Sequence, residues 1–212
     1  MLTYAQLETV LAAHLRVESD KKRKKFAIRI KQLQRLHCPR GVNSRGKRVA
    51  YAAGHILEMA VVFELIQLGL PANRAVLLVQ FWWDDVWRAF LLARHHSHPI
   101  VVGFLRGDFA GLLGGEESEG QRDGEPDAPS REVEDGITII GIDPADSAGD
   151  MYKALTVLAQ ASACLINISD ILSSLSNALE KIGIEGDSVW DAAETRRPEL
   201  GEASRTSNRK KS

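Results

Sequence analysis

Apolar residues recur at helical spacing near the start of the chain. Between residues 3 and 15, Leu7, Val10 and Leu11 fall on one face, and Thr3 precedes them as a candidate N-cap. This pattern predicts a short amphipathic helix.

A second helix is predicted over residues 20–36, and its two faces differ in character. Ile28 projects from the face opposite the apolar one, where an apolar side chain is costly unless it meets a partner such as a thymine methyl group. The apolar face carries Phe26, Ile30 and Leu33, whereas the opposite face is polar and mostly cationic, with Lys24, Lys25, Lys31, Gln32 and Arg35.

Turn residues follow the second helix. Pro39 and Gly41 end it, and residues 40–51 are polar and contain glycine, which predicts a tight β-hairpin. Residues 53–68 are apolar almost all round, so we expect a buried helix there that ends at Gly69.

The second half of the chain has short apolar runs and one long periodic one. Residues 99–106 and 137–142 are typical of strands, and residues 112–135 between them are acidic and predicted to be disordered. Residues 147–181 predict a long helix, either a coiled-coil helix of a homodimer or a core helix within one chain. The seam assigned to dimerisation is Leu158, Leu165, Ile168, Leu172, Leu175 and Leu179.

Together these elements predict a mainly α fold with small β elements. Residues 1–95 would form a winged helix-turn-helix with a following helix, and residues 96–183 a two-stranded, long-helix dimerisation or effector module. Residues 184–212 are expected to be a flexible tail, because they are polar and end in basic residues.

The charge is distributed unevenly although the net charge is only −1. Residues 1–58 hold 13 Lys and Arg against 4 acids, and residues 98–150 hold 3 Arg against 13 acids. A basic first quarter is typical of a protein that binds a polyanion, since cations on the protein release counterions from phosphates.

The sequence argues against a membrane protein and against a disulfide framework. No run approaches the roughly 20 apolar residues that span a bilayer, and the first residues do not have the plan of a signal peptide. Cys38 and Cys164 lie far apart without zinc-ligand spacing. We therefore expect a cytoplasmic protein, associated with the nucleoid if it binds DNA.

Between Ile28 and Val79 the chain contains "RLHCP" at the end of the second helix, then "GKRVAY", and then "LIQLGLPANRAVLLV". With these motifs the run resembles the DNA-binding domain of MerR-type bacterial transcription regulators, in which "GKRVAY" would be the wing. Two features depart from the family pattern: Ile30 and Lys31 replace an aromatic pair, and the wing has one extra residue before Tyr51.

The resemblance implies that Lys25, Arg29 and Gln32 enter the major groove. Arg48 and Tyr51 in the wing would contact phosphate or the adjacent minor groove. The full set of candidate DNA-binding residues is Lys24, Lys25, Ile28, Arg29, Lys31, Gln32, Arg35, Arg40, Asn43, Arg45, Lys47, Arg48 and Tyr51.

The sequence contains only weak signals for a metal site, a ligand pocket or a catalytic site. His95, His96 and His98 lack a nearby acidic or thiolate ligand, so no metal site is predicted. A predicted helix that begins at Pro71 carries Trp82, Trp83 and Trp87, which favour a core over a ligand pocket. No catalytic triad or phosphate-binding glycine loop is present, so we expect neither an enzyme nor a cofactor.

The sequence thus predicts a transcription regulator that binds specific sites on double-stranded DNA as a homodimer. A protein partner could bind through the C-terminal module. The alternative is an architectural or segregation-type protein that uses DNA as an anchor. A defined footprint favours the regulator, and unbounded coverage of DNA favours the alternative.

Overall fold

A computed structural model describes residues 1–42, 49–104, 137–141 and 164–195 of the chain. These residues form seven helices and three strands. The helices are α1 (Tyr4–His14), α2 (Asp20–Arg35), α3 (Ala53–Gln67), α4 (Ala72–Phe81), α5 (Trp83–His95), α6 (Ile168–Glu180) and α7 (Gly186–Thr195). The strands are β1 (Ile100–Phe104), β2 (Ile137–Gly141) and β3 (Cys164–Asn167). The prediction of a mainly α fold with small β elements is confirmed.

The starts of the first two helices follow their capping residues. The Thr3 hydroxyl accepts a hydrogen bond from the Gln6 backbone N–H at 3.3 Å, and the Gln6 side chain accepts one from the Thr3 N–H at 2.8 Å. Ser19 caps α2 by accepting from the Lys22 N–H at 3.4 Å. Both caps satisfy amide groups that a helix leaves unpaired, so the two helices begin where local sequence places them.

The first three helices end in the same way, with one residue in the left-handed region. These residues are Arg16 (φ 53°), His37 (φ 60°) and Gly69 (φ 98°). In each case the next residue donates its N–H back to the last turn, as Cys38 does to the Leu33 carbonyl at 3.0 Å. The predicted stop at Gly69 is confirmed, whereas α2 already ends at Arg35 and the left-handed His37 follows it, before Pro39 and Gly41.

The predicted apolar face of α2 is confirmed. Phe26, Ile30 and Leu33 are 5%, 0% and 1% exposed. The Phe26 ring lies 5.1 Å from the ring of Phe63 on α3, between ring centroids. This packing fixes α2 against α3 and leaves its opposite face to solvent.

The sheet has three antiparallel strands in the order β2–β1–β3. Val102 of β1 lies opposite Ile139 on one side and Ile166 on the other. The predicted strands at 99–106 and 137–142 are confirmed, and β3 is the strand that the sequence did not predict.

The predicted long helix over 147–181 is confirmed for residues 168–180 and wrong for residues 164–167. Residues 164–167 are strand β3, and α6 begins only at Ile168, where Asn167 caps it by accepting from the Asp170 N–H at 3.2 Å. Pairing with the free edge of β1 satisfies the backbone hydrogen-bonding groups of β3. This contact joins residues far apart in the sequence, so the spacing of apolar residues does not predict it. Residues 147–163 and Leu158 lie outside the described residues.

The predicted flexible tail is also wrong in its first part, because residues 186–195 form α7. Trp190 is 1% exposed, and its Nε1–H donates to the Ser176 hydroxyl at 2.8 Å. A Cβ at Gly186 would lie 3.0 Å from the Cβ of Ser176, so glycine permits the close approach of α7 to α6. Residues 196–212 lie outside the described part.

One hydrophobic core joins the two predicted modules. It runs from Leu2 at the N-terminus to Ala193 in α7 and includes residues of every described helix. α1 packs closely on α6, and α3 contacts α6, α7 and β3. The division at residue 95 therefore does not separate two cores, because apolar faces on both sides of it are buried against each other.

Candidate nucleic-acid interface

The solvent face of α2 carries two neighbouring rows of side chains. One row, spaced alternately three and four residues apart, lies opposite the buried face: Lys21, Lys24, Ile28, Lys31 and Arg35. The second row lies beside it and consists of Lys25, Arg29 and Gln32. All eight side chains are exposed. The structure therefore brings together the candidate DNA-binding residues that belong to α2. We call these eight residues the cationic face.

The cationic face is not neutralised by the rest of the described chain. None of its Lys and Arg side chains forms an ion pair with another described residue. Asp20, in the first turn, is the only acid in the helix. Several like charges held on one rigid surface create a positive potential that attracts a polyanion, most strongly at low salt.

Ile28 is the apolar member of the cationic face. Its side chain is 65% exposed, and in the same row it lies between Lys24 and Lys31. Ile30, two residues later, is fully buried. Ile28 is thus exposed because of its position on the helix. Its side chain is available for an apolar contact with a partner that binds α2.

The basic loop after α2 lies partly outside the described residues. Asn43, Arg45, Lys47 and Arg48 belong to residues 43–48, so their placement and the tip of the predicted hairpin are outside the described part. The described flanks contain no strand. Instead, Tyr51 pairs with Leu2 in an isolated antiparallel bridge, with N–O distances of 2.8 Å in both directions.

The predicted DNA contact of Tyr51 is wrong. The residue is 1% exposed, and its hydroxyl accepts a hydrogen bond from Gln34 Nε2 at 2.6 Å. Burial raises the pKa of the phenol, and the hydrogen bond from Gln34 lowers it in part. Tyr51 therefore connects the end of the loop to α2 and does not reach solvent.

Arg40, a candidate for DNA contact, is directed mainly toward the core, with 22% of its side chain exposed. Its Nε lies 3.8 Å from Glu58 Oε1, its backbone N–H donates to Glu58 Oε2 at 3.1 Å, and its guanidinium lies over the Trp83 ring. Glu58 is fully buried on α3. Burial raises the pKa of its carboxyl, and the contacts with Arg40 and Gln80 lower it in part. Arg40 thus anchors the start of the basic loop to the core.

Sequence reasoning missed Glu58, although a signal was present. It is an acid within the apolar run 53–68, and a buried acid requires a partner close by. The basic residues of the preceding loop were the nearest candidates for that partner in the sequence.

The four predicted dimerisation residues that lie on α6 face the interior of their own chain. Ile168, Leu175 and Leu179 on α6 are fully buried, and Leu172 packs partly buried against the same core. Leu165 is 38% exposed, but it lies on β3. The alternative of an intramolecular core helix holds for α6, because its apolar face is covered by α1 and α5.

The tryptophans form part of the core, as the sequence favoured. Trp83 and Trp87 are 3% and 8% exposed, and aromatic contacts continue from Trp87 through Phe90 to Trp190.

Within the described ranges, no group of three His, Cys, Asp or Glu side chains is placed to hold a metal ion. No described helix is long and apolar enough to cross a membrane.

A groove of about 1270 Å³ lies between the ends of α1 and α3 and the α6 helix. His14 and Glu64 approach each other in it, with 3.2 Å between Nε2 and Oε1. Its rim carries charges of both signs, including Arg23, Asp170 and Lys181. This mixture does not select one class of ligand.

Comparison with known proteins gave no match to a protein-family model, to a curated protein or to a solved structure. The features that indicate a function are therefore the surface of α2 and the resemblance in sequence.

Proposed function

We propose that this protein is a transcription regulator that binds specific sites on double-stranded DNA as a homodimer. The observation that carries the proposal is the cationic face. It lies on a helix that follows α1 after a short turn, its cations have no ion-pair partner among the described residues, and its reverse side is fixed in the core. A rigid, exposed helix of this kind has the dimensions to enter the major groove.

The two rows of the cationic face support different kinds of contact. Arg29 can donate two hydrogen bonds to guanine, and Gln32 can both donate to and accept from adenine. Lys24, Lys31 and Arg35 are suited to phosphate, which provides affinity without sequence information. Sequence preference would then come from the row that contains Arg29 and Gln32.

The regulatory part of the proposal draws on the resemblance to MerR-type regulators. The cations of residues 43–48 support it, because Arg40 and Tyr51 hold the two flanks of that loop to the same core as α2. A bacterial regulator of this type works in the cytoplasm, at the nucleoid.

Selection of bound sequences from a random duplex library, followed by fluorescence anisotropy at several salt concentrations, tests the proposal. We expect an enriched sequence motif and a dissociation constant that rises steeply with salt. Lys31→Ala should weaken binding to all sequences and reduce the salt slope by about 1, whereas Gln32→Ala should change the preferred base at one position.

Lys181→Ala is the matched control, because this exposed lysine lies at the end of α6. It should leave both affinity and preference unchanged. Failure of the wild-type protein to bind duplex DNA in dilute buffer would contradict the proposal. Binding that covers DNA without a boundary or a preferred sequence would favour the architectural alternative.

A further inference from the structure

Two large apolar side chains lie exposed together on α4. Leu77 is 49% and Phe81 is 66% exposed, and they lie one turn apart on the same face. The other exposed large hydrophobic residues of the described chain are Met1, Ile28, Leu68 and Leu165. Ile28 belongs to the cationic face, and Leu68 and Leu165 line the groove beside α1. Leu77 and Phe81 therefore form a separate apolar patch.

Opposite charges flank this patch along the chain. Arg74 lies about one turn before Leu77, and Asp84 lies about one turn after Phe81, in the first turn of α5. Both are exposed, and neither forms an ion pair with another described residue. The neighbouring Asp85, in contrast, lies 3.5 Å from Arg88. The order is thus cation, apolar pair, anion.

Such an order is complementary to itself when reversed. In a two-fold dimer each patch meets an identical patch running in the opposite direction. Antiparallel α4 helices would place Leu77 against Phe81 of the partner subunit, and Arg74 against Asp84 of the partner subunit. The geometry points to a second copy of this chain as the partner, and we propose that the patch Arg74, Leu77, Phe81 and Asp84 is the homodimer interface.

This inference deepens the proposed homodimer, and it replaces the α6 seam, whose apolar face is buried within the chain. α4 is also connected to α2, since Gln80 Nε2 donates to the His37 carbonyl at 3.1 Å. A contact between α4 helices therefore fixes the relative position of the two cationic faces. With only two large apolar side chains per copy, the free dimer is weak, and adjacent half-sites on one duplex strengthen it by raising the effective concentration.

Sedimentation velocity across the micromolar range tests the interface. The wild-type protein should show a mass that rises with concentration toward that of a dimer. Phe81→Glu should raise the dimer dissociation constant by at least roughly tenfold, because it places a charge in the apolar centre of the contact. Leu68→Glu is the control, since Leu68 is also exposed, at 52%, but lines the groove beside α1. Circular dichroism checks that both variants fold.

Charge exchange between Arg74 and Asp84 identifies the pairing itself. Arg74→Glu and Asp84→Arg should each self-associate more weakly than the wild type, because each variant alone brings like charges together. A mixture of the two variants should associate about as tightly as the wild type, because both contacts in the mixed pair join opposite charges. An unrelated surface would not show this recovery.

Three results would overturn the interface: a monomeric wild-type protein, a Phe81→Glu variant that dimerises normally, or a mixture no tighter than its components. The proposed function is judged separately, by binding of Phe81→Glu to a single half-site. If that variant binds the half-site but has lost the dimer, both proposals hold. A monomeric wild-type protein that binds the half-site would overturn the interface and the homodimer but not DNA binding, whereas a dimer that ignores DNA would overturn DNA binding but not the interface.

Discussion

His37, just after α2, has a backbone conformation that residues with a Cβ rarely adopt. Its φ is 60°, and its N–H donates to the Gln34 carbonyl at 3.1 Å. A left-handed residue at this position satisfies the last carbonyls of the helix, and glycine does so without a clash of Cβ with the backbone. The end of α2 therefore contains local backbone strain, on the order of 1–2 kcal/mol, that glycine would remove.

We expect His37→Gly to stabilise the protein by about 1 kcal/mol or slightly less, because relief of this strain is partly offset by the greater freedom of glycine in the unfolded chain. Urea unfolding measures the difference. His37→Ala is the matched control, since it removes the imidazole but keeps the Cβ, and it should give no gain. Equal stability of the Gly and Ala variants would show that the backbone at His37 is not strained.

For single residues, the sequence predicted which side chains of α2 are exposed better than it predicted the direction of the side chains beside the basic loop. The exposed cations of α2 followed from their distance along the helix from Phe26 and Ile30. Tyr51 and Arg40 were assigned to the DNA because they flank a basic loop, yet both are turned inward by residues far away in sequence, Gln34 and Glu58. The turn and charge pattern of the loop does not indicate these partners, and the sequence signal for one of them was the acid Glu58 within the apolar run 53–68.

The helix α2 separates stability from recognition on its two faces. Ile28 and Ile30 are the same type of residue two positions apart, but one is 65% exposed and the other is 0% exposed. A buried isoleucine loses transfer free energy and leaves a cavity when it is truncated, whereas an exposed one loses little. The pair therefore allows the two roles of the helix to be tested independently.

We expect Ile30→Ala to cost about 2–5 kcal/mol of unfolding free energy and Ile28→Ala less than about 0.5 kcal/mol. Binding should change in the opposite order. Under conditions in which both variants are folded, Ile28→Ala should lower affinity for the selected DNA site, and Ile30→Ala should not. Urea unfolding and fluorescence anisotropy measure the two effects. A large loss of stability in Ile28→Ala would mean that this side chain is part of the core.

Helices and strands were predicted accurately where the residues that determine them are close together in the sequence. α1, α2 and α3 were predicted within a few residues, because capping residues and periodic apolar positions act within a few turns. The helix predicted over 147–181 wrongly included residues 164–167, because they also fit helical spacing and only pairing with β1 makes them a strand. Asn167 followed by Asp170 was a local helix-start signal inside that run, and it marks the true beginning of α6.

On the scale of the whole molecule, the C-terminal helix closes a core that begins at the N-terminus. Trp190 of α7 packs against Phe90 of α5, with 5.4 Å between ring centroids, and α7 also contacts α3 and α6. Arg94 of α5 forms ion pairs with Asp191, at 2.7 Å, and with Glu194. The predicted tail is thus joined to the helices that hold α2 in place, which sequence periodicity could not show because these contacts span about half of the chain.

This shared core predicts that damage in α7 is transmitted to α1. We expect Trp190→Ala to cost about 3–5 kcal/mol of unfolding free energy, because it removes a fully buried indole and leaves a cavity. If the core unfolds as one unit, hydrogen exchange should accelerate by the same factor at the most protected amides of α1 and of α6. Asp187→Ala, an exposed substitution in the same helix, should change exchange in neither. Acceleration confined to α6 and α7 would show instead that residues 1–95 form an independent folding unit.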